Sequence, residues 1–259
     1  MKIKEIMTKK VIAVDKDESL SRVLDLMKKH DITKIPVLDE KKIFGLVTDN
    51  VIAFKLGSIR KRGIPASHLH ASSVTEKDVP TISPEDDVKT ILKLVGEPGP
   101  TMLPVTERGK LVGVVTKADL LPLVTNKGPL YSIMQRQIHS VAPDERVIHA
   151  RRIMIDENVA RLPVIQAGKL VGIISDIEIA FAFASLKKSI SLGHQKHHLD
   201  ELLVRDAMRS PVIWTTSSLR IVDAAALMMK HNVGSLPILE NDSLIGVVTR
   251  TDLLKTIIL

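Results

Sequence analysis

The 259-residue chain has no cysteine, and its aromatic residues are one tryptophan, one tyrosine and four phenylalanines. Without cysteine there are no disulfides, no thiolate nucleophile and no Cys-ligated zinc. Aromatics at 2% leave little on which unpaired bases could stack, which weighs against a single-strand nucleic-acid binder. No uninterrupted apolar run approaches the roughly 18 residues of a membrane span. The opening MKIKEIMTKK also lacks the apolar centre of a signal peptide. A cytoplasmic protein with no membrane partner is expected. Glycine-rich phosphate loops are missing too, since RGKLVGVVTK has neither the Walker spacing nor its terminal Lys-Ser/Thr pair. No Ser/His/Asp arrangement can be singled out. No catalytic residue is therefore assigned, and the chain is not expected to be an enzyme.

What is present is a 44% hydrophobic composition, ample for packed cores, and a net charge of +7. Much of the charge is dispersed. Two basic clusters stand out, Arg60 to Arg62 and the segment KKSISLGHQKHH from Lys187 to His198. They leave nucleic acid as an alternative partner. His194, His197 and His198 beside Asp200 and Glu201 raise the question of a metal. Adjacent histidines do not face one ion from a regular helix or strand, so a solvated linker is expected and no metal ligand is assigned.

The dominant feature is repetition. KIPVLDEKKIFGLVTD, MLPVTERGKLVGVVTK, RLPVIQAGKLVGIISD and SLPILENDSLIGVVTR carry the same pattern, their prolines Pro36, Pro104, Pro163 and Pro237 separated by 68, 59 and 74 residues. The same offsets relate Gly45 to Gly113, Gly172 and Gly246, and Thr48 to Thr116, Ser175 and Thr249. From Leu20 to Val51 the register holds without a gap in all four copies. Insertions are thus confined to the connections.

Within a unit, Leu20, Val23, Leu24 and Met27 fall at i, i+3, i+4 and i+7, one face of a helix. Val88, Ile91, Leu92 and Val95 repeat this, whereas the third copy places Arg151 on that face. Asp15-x-x-Glu18 and Ser83-x-x-Asp86 have capping-box form and predict the helix starts. The β-rich runs that follow, split by a polar turn, predict a hairpin, and a second helix begins at the Thr or Ser. The unit is βαββα, an α/β (α+β) class. About sixty residues make a marginal core alone, so pairing is expected. The units are read as 1–57, 68–126, 127–186 and 200–259, in pairs 1–126 and 127–259 divided at NKGP.

Apolar-Pro-apolar, a turn, then Gly-apolar-apolar-Thr/Ser with an acidic residue often three positions later resembles the CBS domain, named for cystathionine β-synthase. The resemblance covers nearly the whole chain. It implies head-to-head pairs whose clefts bind adenosine-containing ligands such as AMP, ADP, ATP or S-adenosylmethionine. It also implies a regulatory module that reports such ligands to a separate effector protein, here undetermined, with no resident cofactor. Two pairs are expected to form a flat disc, within one chain or by homodimerisation.

Carried over position by position, the ribose-binding pattern falls on Thr116 with Asp119 and on Thr249 with Asp252. The third unit offers Ser175 with the longer Glu178, and the first has Val51 where the acid belongs. Adenine contacts would fall on Thr81, Ser140 and Trp214, and phosphate on the cations before the shared proline, Lys34 and Arg161. Arg161 offers a bidentate grip and Lys34 a point charge. Thr116-x-x-Asp119 and Thr249-x-x-Asp252 also have the form of capping boxes, which would account for them without a ligand.

Overall fold

Residues 1–58, 68–95, 102–189 and 201–257 are described by the structure, a computed structural model, and the statements below concern them. In chain order the elements are α1 (Ile3–Ile6), β1 (Val14–Asp15), α2 (Leu20–His30), β2 (Lys34–Asp39), β3 (Lys42–Thr48), α3 (Asp49–Ser58), β4 (Thr75–Glu76), α4 (Val88–Val95), β5 (Met102–Glu107), β6 (Lys110–Thr116) and α5 (Lys117–Leu120). They continue with α6 (Val147–Asp156), β7 (Arg161–Gln166), β8 (Lys169–Ser175), α7 (Asp176–Ser189), α8 (Val204–Ala207), α9 (Ile221–Lys230), β9 (Ser235–Glu240), β10 (Ser243–Thr249) and α10 (Arg250–Leu254). Helices and strands are interspersed along the chain, a mixed α/β fold.

The apolar stripe of each first helix is buried: Leu20, Val23, Leu24 and Met27 in α2, and Ile221, Ala224, Ala225 and Met228 in α9. The helix starts differ from the two boxes expected. Ser19 caps α2, its side chain accepting from the Arg22 amide at 3.2 Å, while the Asp15 carboxylate accepts from the Asp17 amide in the preceding turn. Asp86 Oδ2 does accept from the Ser83 amide, but Ser83 Oγ accepts from the Glu85 amide, in a turn that ends before α4 begins. Polar side chains just ahead of a helix compete for amides in the turn as well as at the cap, so spacing alone leaves the start uncertain by several residues.

Each hairpin pairs antiparallel in the same register, with Pro36 opposite Leu46, Pro104 opposite Val114, Pro163 opposite Ile173 and Pro237 opposite Val247. The proline lacks an N–H, but its carbonyl is used: Pro104, Pro163 and Pro237 accept from Ile82, Val141 and Thr215 in the strand-like segment ahead of the helix. The hairpin's other edge is closed by a segment from a different repeat. Leu46 pairs with Glu76, Val114 with Thr8, Ile173 with Arg209 and Val247 with Gln135. Repeats 1 and 2 thereby exchange their leading segments, and so do repeats 3 and 4. The shared glycine makes this approach possible. A Cβ on Gly172 would lie 2.4 Å from Met208 Sδ, and one on Gly45 would lie 2.2 Å from the Glu76 carbonyl oxygen.

Two compact units result. One comprises Met1–Val11, Pro80–Ile138 and Ile213–Leu259, the other Ile12–Val79 and His139–Val212. The cores follow the same division. In the first, Val88 and Ile91 of repeat 2 share a cluster with Ile221 and Met228 of repeat 4. In the second, Leu20 and Val23 of repeat 1 join Val147 and Met154 of repeat 3. This differs from cores completed within 1–126 and 127–259. The reason is the second helix of each repeat, which packs against that of the repeat two further along: α3 on α7, and α5 on α10. Phe183 of α7 is 1% exposed, with Gly57 of α3 close enough that an added Cβ would sit 3.2 Å from its ring.

Candidate functional site

The unit built from repeats 2 and 4 holds both Thr-x-x-Asp sites. Thr116 Oγ1 accepts from the Ala118 amide at 3.2 Å, and Asp119 Oδ2 accepts from the Thr116 amide at 2.7 Å. Thr249 Oγ1 accepts from the Asp252 amide at 3.4 Å, and the Thr249 amide donates to Asp252 Oδ2 at 2.8 Å. Both capping boxes are therefore real. Each carboxylate also meets a donor from the exchanged leading segment: Thr8 Oγ1 donates to Asp119 Oδ1 at 2.9 Å, and Gln135 Nε2 to Asp252 Oδ1 at 3.0 Å. Thr8 and Gln135 are exposed, while the carboxylates are half-buried. Each capping threonine is followed in sequence by a cation. Lys117 is only 8% exposed and its Nζ donates to Thr251 Oγ1 at 2.6 Å, across the contact of α5 with α10. Arg250 donates from Nη2 to Asn232 Oδ1 at 3.3 Å.

The unit built from repeats 1 and 3 is organised by ion pairs. Glu178 does reach its cap, accepting from the Ser175 amide at 3.1 Å and from the Ser175 hydroxyl. Its other oxygen lies 3.3 Å from Arg209 Nη2 of the exchanged segment. Thr48 accepts from the Val51 amide at 3.3 Å with no carboxylate to return the bond. Asp176 is 5% exposed and takes a 2.9 Å bond from Arg151 Nη1. The arginine that broke the apolar stripe of the third helix is thus placed to meet it. Burial, reinforced by the nearby Asp49 carboxylate, pushes Asp176 up to about 6 against the pull of Arg151, Lys34 and Arg161. Burial also lowers the pKa of Arg151 and of Arg161; around Arg161, Asp49, Glu178 and Asp176 oppose this. Lys34 Nζ lies 3.5 Å from Asp49 Oδ1.

The structure therefore brings Lys34 and Arg161, the cations before the shared proline, among carboxylates of their own unit. Pro104, Pro163 and Pro237 are buried in their hairpins. Thr81, Ser140 and Trp214 are exposed, each one residue before the strand bridge to its hairpin. Trp214, 50% exposed, lines an open depression of about 420 Å³ with Thr216, Leu239, Glu240, Asn241 and Asp242. These belong to the turn end of the β9–β10 hairpin, whereas Asp252 follows its other end. Arg60 to Arg62 and His194, His197 and His198 lie outside the described residues. Among the described residues no cluster has the make-up of a metal site, and no helix is long and apolar enough to cross a membrane.

Two sets of residues escaped the sequence reading. One is the position that closes each hairpin, Thr8, Glu76, Gln135 and Arg209. It keeps the repeat offsets of 68, 59 and 74, so extending the register upstream from Leu20 would have found it. The other is the alternation of charge at the residue directly after the Thr or Ser, of which the sequence singles out only Asp49, as a stand-in for the acid missing at Val51. That residue is acidic in repeats 1 and 3, Asp49 and Asp176, and basic in repeats 2 and 4, Lys117 and Arg250.

Comparison with known proteins matches the CBS domain at residues 3–56, 71–126, 130–185 and 204–259. The uncharacterized protein MJ1404 of Methanocaldococcus jannaschii is 26% identical over 98% of this chain, which spans 61% of that protein's length. MJ1225 of the same organism, proposed in its crystal structure to be an archaeal homolog of g-AMPK, has a TM-score of 0.84 at 22% identity, covering 98% of this chain and 99% of that one. An uncharacterized conserved protein from Pyrococcus horikoshii covers all of both chains with a TM-score of 0.62 at 22% identity. At these identities the two structures establish the shared fold.

Proposed function

We propose, from the premise that the chain belongs to the CBS domain family through all four of its repeats, that it is a non-catalytic regulatory protein binding adenosine-containing ligands. The sites are those of Asp119 and Asp252. The observation that carries this reading is the state of the two carboxylates. Each uses Oδ2 for its helix cap and accepts at Oδ1 from a neutral donor on an exposed side chain of another repeat, Thr8 for Asp119 and, for Asp252, Gln135, which also reaches Oδ2 at 3.2 Å. A ribose hydroxyl is a donor of the same kind, so it can take the place of either without leaving a buried charge unpaired. Repeat 1 offers Val51 at this position, and in repeat 3 Arg209 already engages Glu178. Two sites per chain are therefore expected. The output passes to a separate effector protein, in keeping with the proposal of MJ1225 as a homolog of g-AMPK.

Calorimetric titration with AMP, adenosine, methylthioadenosine and S-adenosylmethionine tests this. Asp119→Ala and Asp252→Ala remove hydrogen bonds to a charged acceptor worth ~1.5–3 kcal/mol, so each should weaken its site about ten- to a hundredfold. Variants that bind every ligand as tightly as the parent would show these carboxylates to be helix caps and nothing more.

A further inference from the structure

We infer that the turn end of the β9–β10 hairpin is a docking surface for an arginine-bearing segment of a separate protein. This rests on the reading above, in which the output passes to such a protein, and adds where the contact is made and by what chemistry. The chain's one tryptophan and one tyrosine are both exposed here, Trp214 at 50% and Tyr131 at 56%. Trp214 lines the depression of about 420 Å³ together with Thr216, Leu239, Glu240, Asn241 and Asp242. Tyr131 is tied to the same corner, its amide donating to the Ser217 carbonyl at 3.0 Å while the Ser217 hydroxyl donates to Glu240. Exposed rings held on a fixed backbone are the side chains that anchor protein–protein contacts.

The surface is acidic although the chain carries a net charge of +7. Among the described residues the Glu240 carboxylate meets the neutral Ser217 hydroxyl and no cation. Asp242 adds a second carboxyl at a turn position with φ +62°, a place filled by Gly109 and Gly168 in repeats 2 and 3 and by Lys41 in repeat 1. The counterparts of Trp214 are Ala13, Thr81 and Ser140, so the indole beside carboxylates is peculiar to repeat 4. The hairpin itself does not require the combination, since it forms in the same register in all four copies. A guanidinium matches this chemistry: its plane stacks on the indole face, and its forked N–H groups donate to a carboxylate. A lysine brings the charge without the stacking plane. An aliphatic anchor would leave the Glu240 charge without a counterion, and a phosphate would be repelled by both carboxylates.

Because Trp214 is the sole tryptophan, its emission reports on this surface alone. The full chain is titrated with end-blocked tetra-arginine, tetra-lysine and tetra-glutamate, each to millimolar concentration at equal ionic strength. Tetra-arginine should give a saturable change in emission, tetra-lysine a weaker one, and tetra-glutamate none. By calorimetry, Trp214→Leu, which keeps an apolar side chain without a π face, should weaken tetra-arginine about two- to fivefold, and Glu240→Gln should weaken it to a similar extent. Added salt should weaken it in the parent as well. No saturable change with tetra-arginine, equal binding of tetra-glutamate, or an affinity that neither variant moves would each overturn the docking surface. Tetra-arginine carries no ribose, so these failures leave Asp119 and Asp252 standing as acceptors. A change in Trp214 emission on adding adenosine that Asp252→Ala abolishes would instead place the indole in the ligand site and overturn the docking surface while supporting those acceptors.

Discussion

Asp176 makes the stability of its unit depend on pH in an unusual direction. Its carboxyl, 5% exposed and facing Asp49 as well as Arg151, Lys34 and Arg161, titrates at about 6 in the folded chain against an ordinary value of 3.8. Below pH 3.8 the folded and unfolded chains both hold the proton. Between 3.8 and 6 only the folded chain holds it, so stability falls as pH rises through this window and stays level above it. At about 1.36 kcal/mol per unit, the two-unit gap corresponds to a loss on the order of 2–3 kcal/mol. That is roughly 4–12 °C in Tm for a chain of this size. Asp176→Asn keeps an acceptor for Arg151 but cannot ionise. Melting curves by circular dichroism at pH 4.5, 5.5, 6.5 and 7.5 on the parent and the variant isolate the effect, because every other titrating group is common to both. The parent should lose stability relative to the variant between pH 4.5 and 6.5, and the difference should then level off. Parallel curves across the whole range would refute this account of the buried ion pair.

Gly45→Ala should destabilise more than Gly113→Ala. The new Cβ meets the Glu76 carbonyl oxygen at 2.2 Å in the first case, but mainly the movable Met7 side chain, at 2.7 Å from Sδ, in the second; chemical denaturation of both variants gives the ranking. Phe183→Ala, emptying the α3–α7 contact, should cost about 3–5 kcal/mol by urea titration, and a loss under 1 kcal/mol would show that this contact is not part of the core.

The hairpins and both helices of each repeat were legible because their signals are local: alternation over a few residues, a 3.6-residue stripe, and a glycine and a threonine at fixed distance from a proline. Four copies in one register turned weak local signals into a firm reading. Arg151 was visible as a break in the stripe of the third helix, but its reason, Asp176, lies 25 residues away in sequence. The exchange of leading segments was hidden for the same kind of reason. A strand edge records in its sequence that it is paired, not with which segment, and Thr8 on Val114 or Arg209 on Ile173 is settled only by the three-dimensional closure of the sheet. The sharing of cores between repeats 1 and 3 and between repeats 2 and 4 followed from helix packing, for which an apolar stripe specifies burial but no partner.

Comparing the four copies with one another separates backbone requirements from chemistry. Gly45, Gly113, Gly172 and Gly246 occupy one place because each hairpin must admit a neighbouring segment at its edge, and three of the four segments present a methionine there: Met7, Met208 and Met134. The shared prolines also have a common duty, since an edge residue with a carbonyl to give and no N–H to satisfy suits the place where the short first strand joins. One residue past the threonine the copies diverge, and they do so by unit rather than by order in the chain: Asp49 with Asp176, Lys117 with Arg250. Backbone geometry is indifferent to that choice, because the amide of this residue donates to the preceding loop whether the side chain is Asp49, Asp176 or Arg250. A position whose side chain the backbone leaves unconstrained, repeated with opposite sign in two otherwise similar units, is where a duplicated scaffold can acquire two electrostatic characters. In one unit the charges close on each other as ion pairs with their own carboxylates. In the other, Lys117 donates to the Thr251 hydroxyl and Arg250 to the Asn232 side chain.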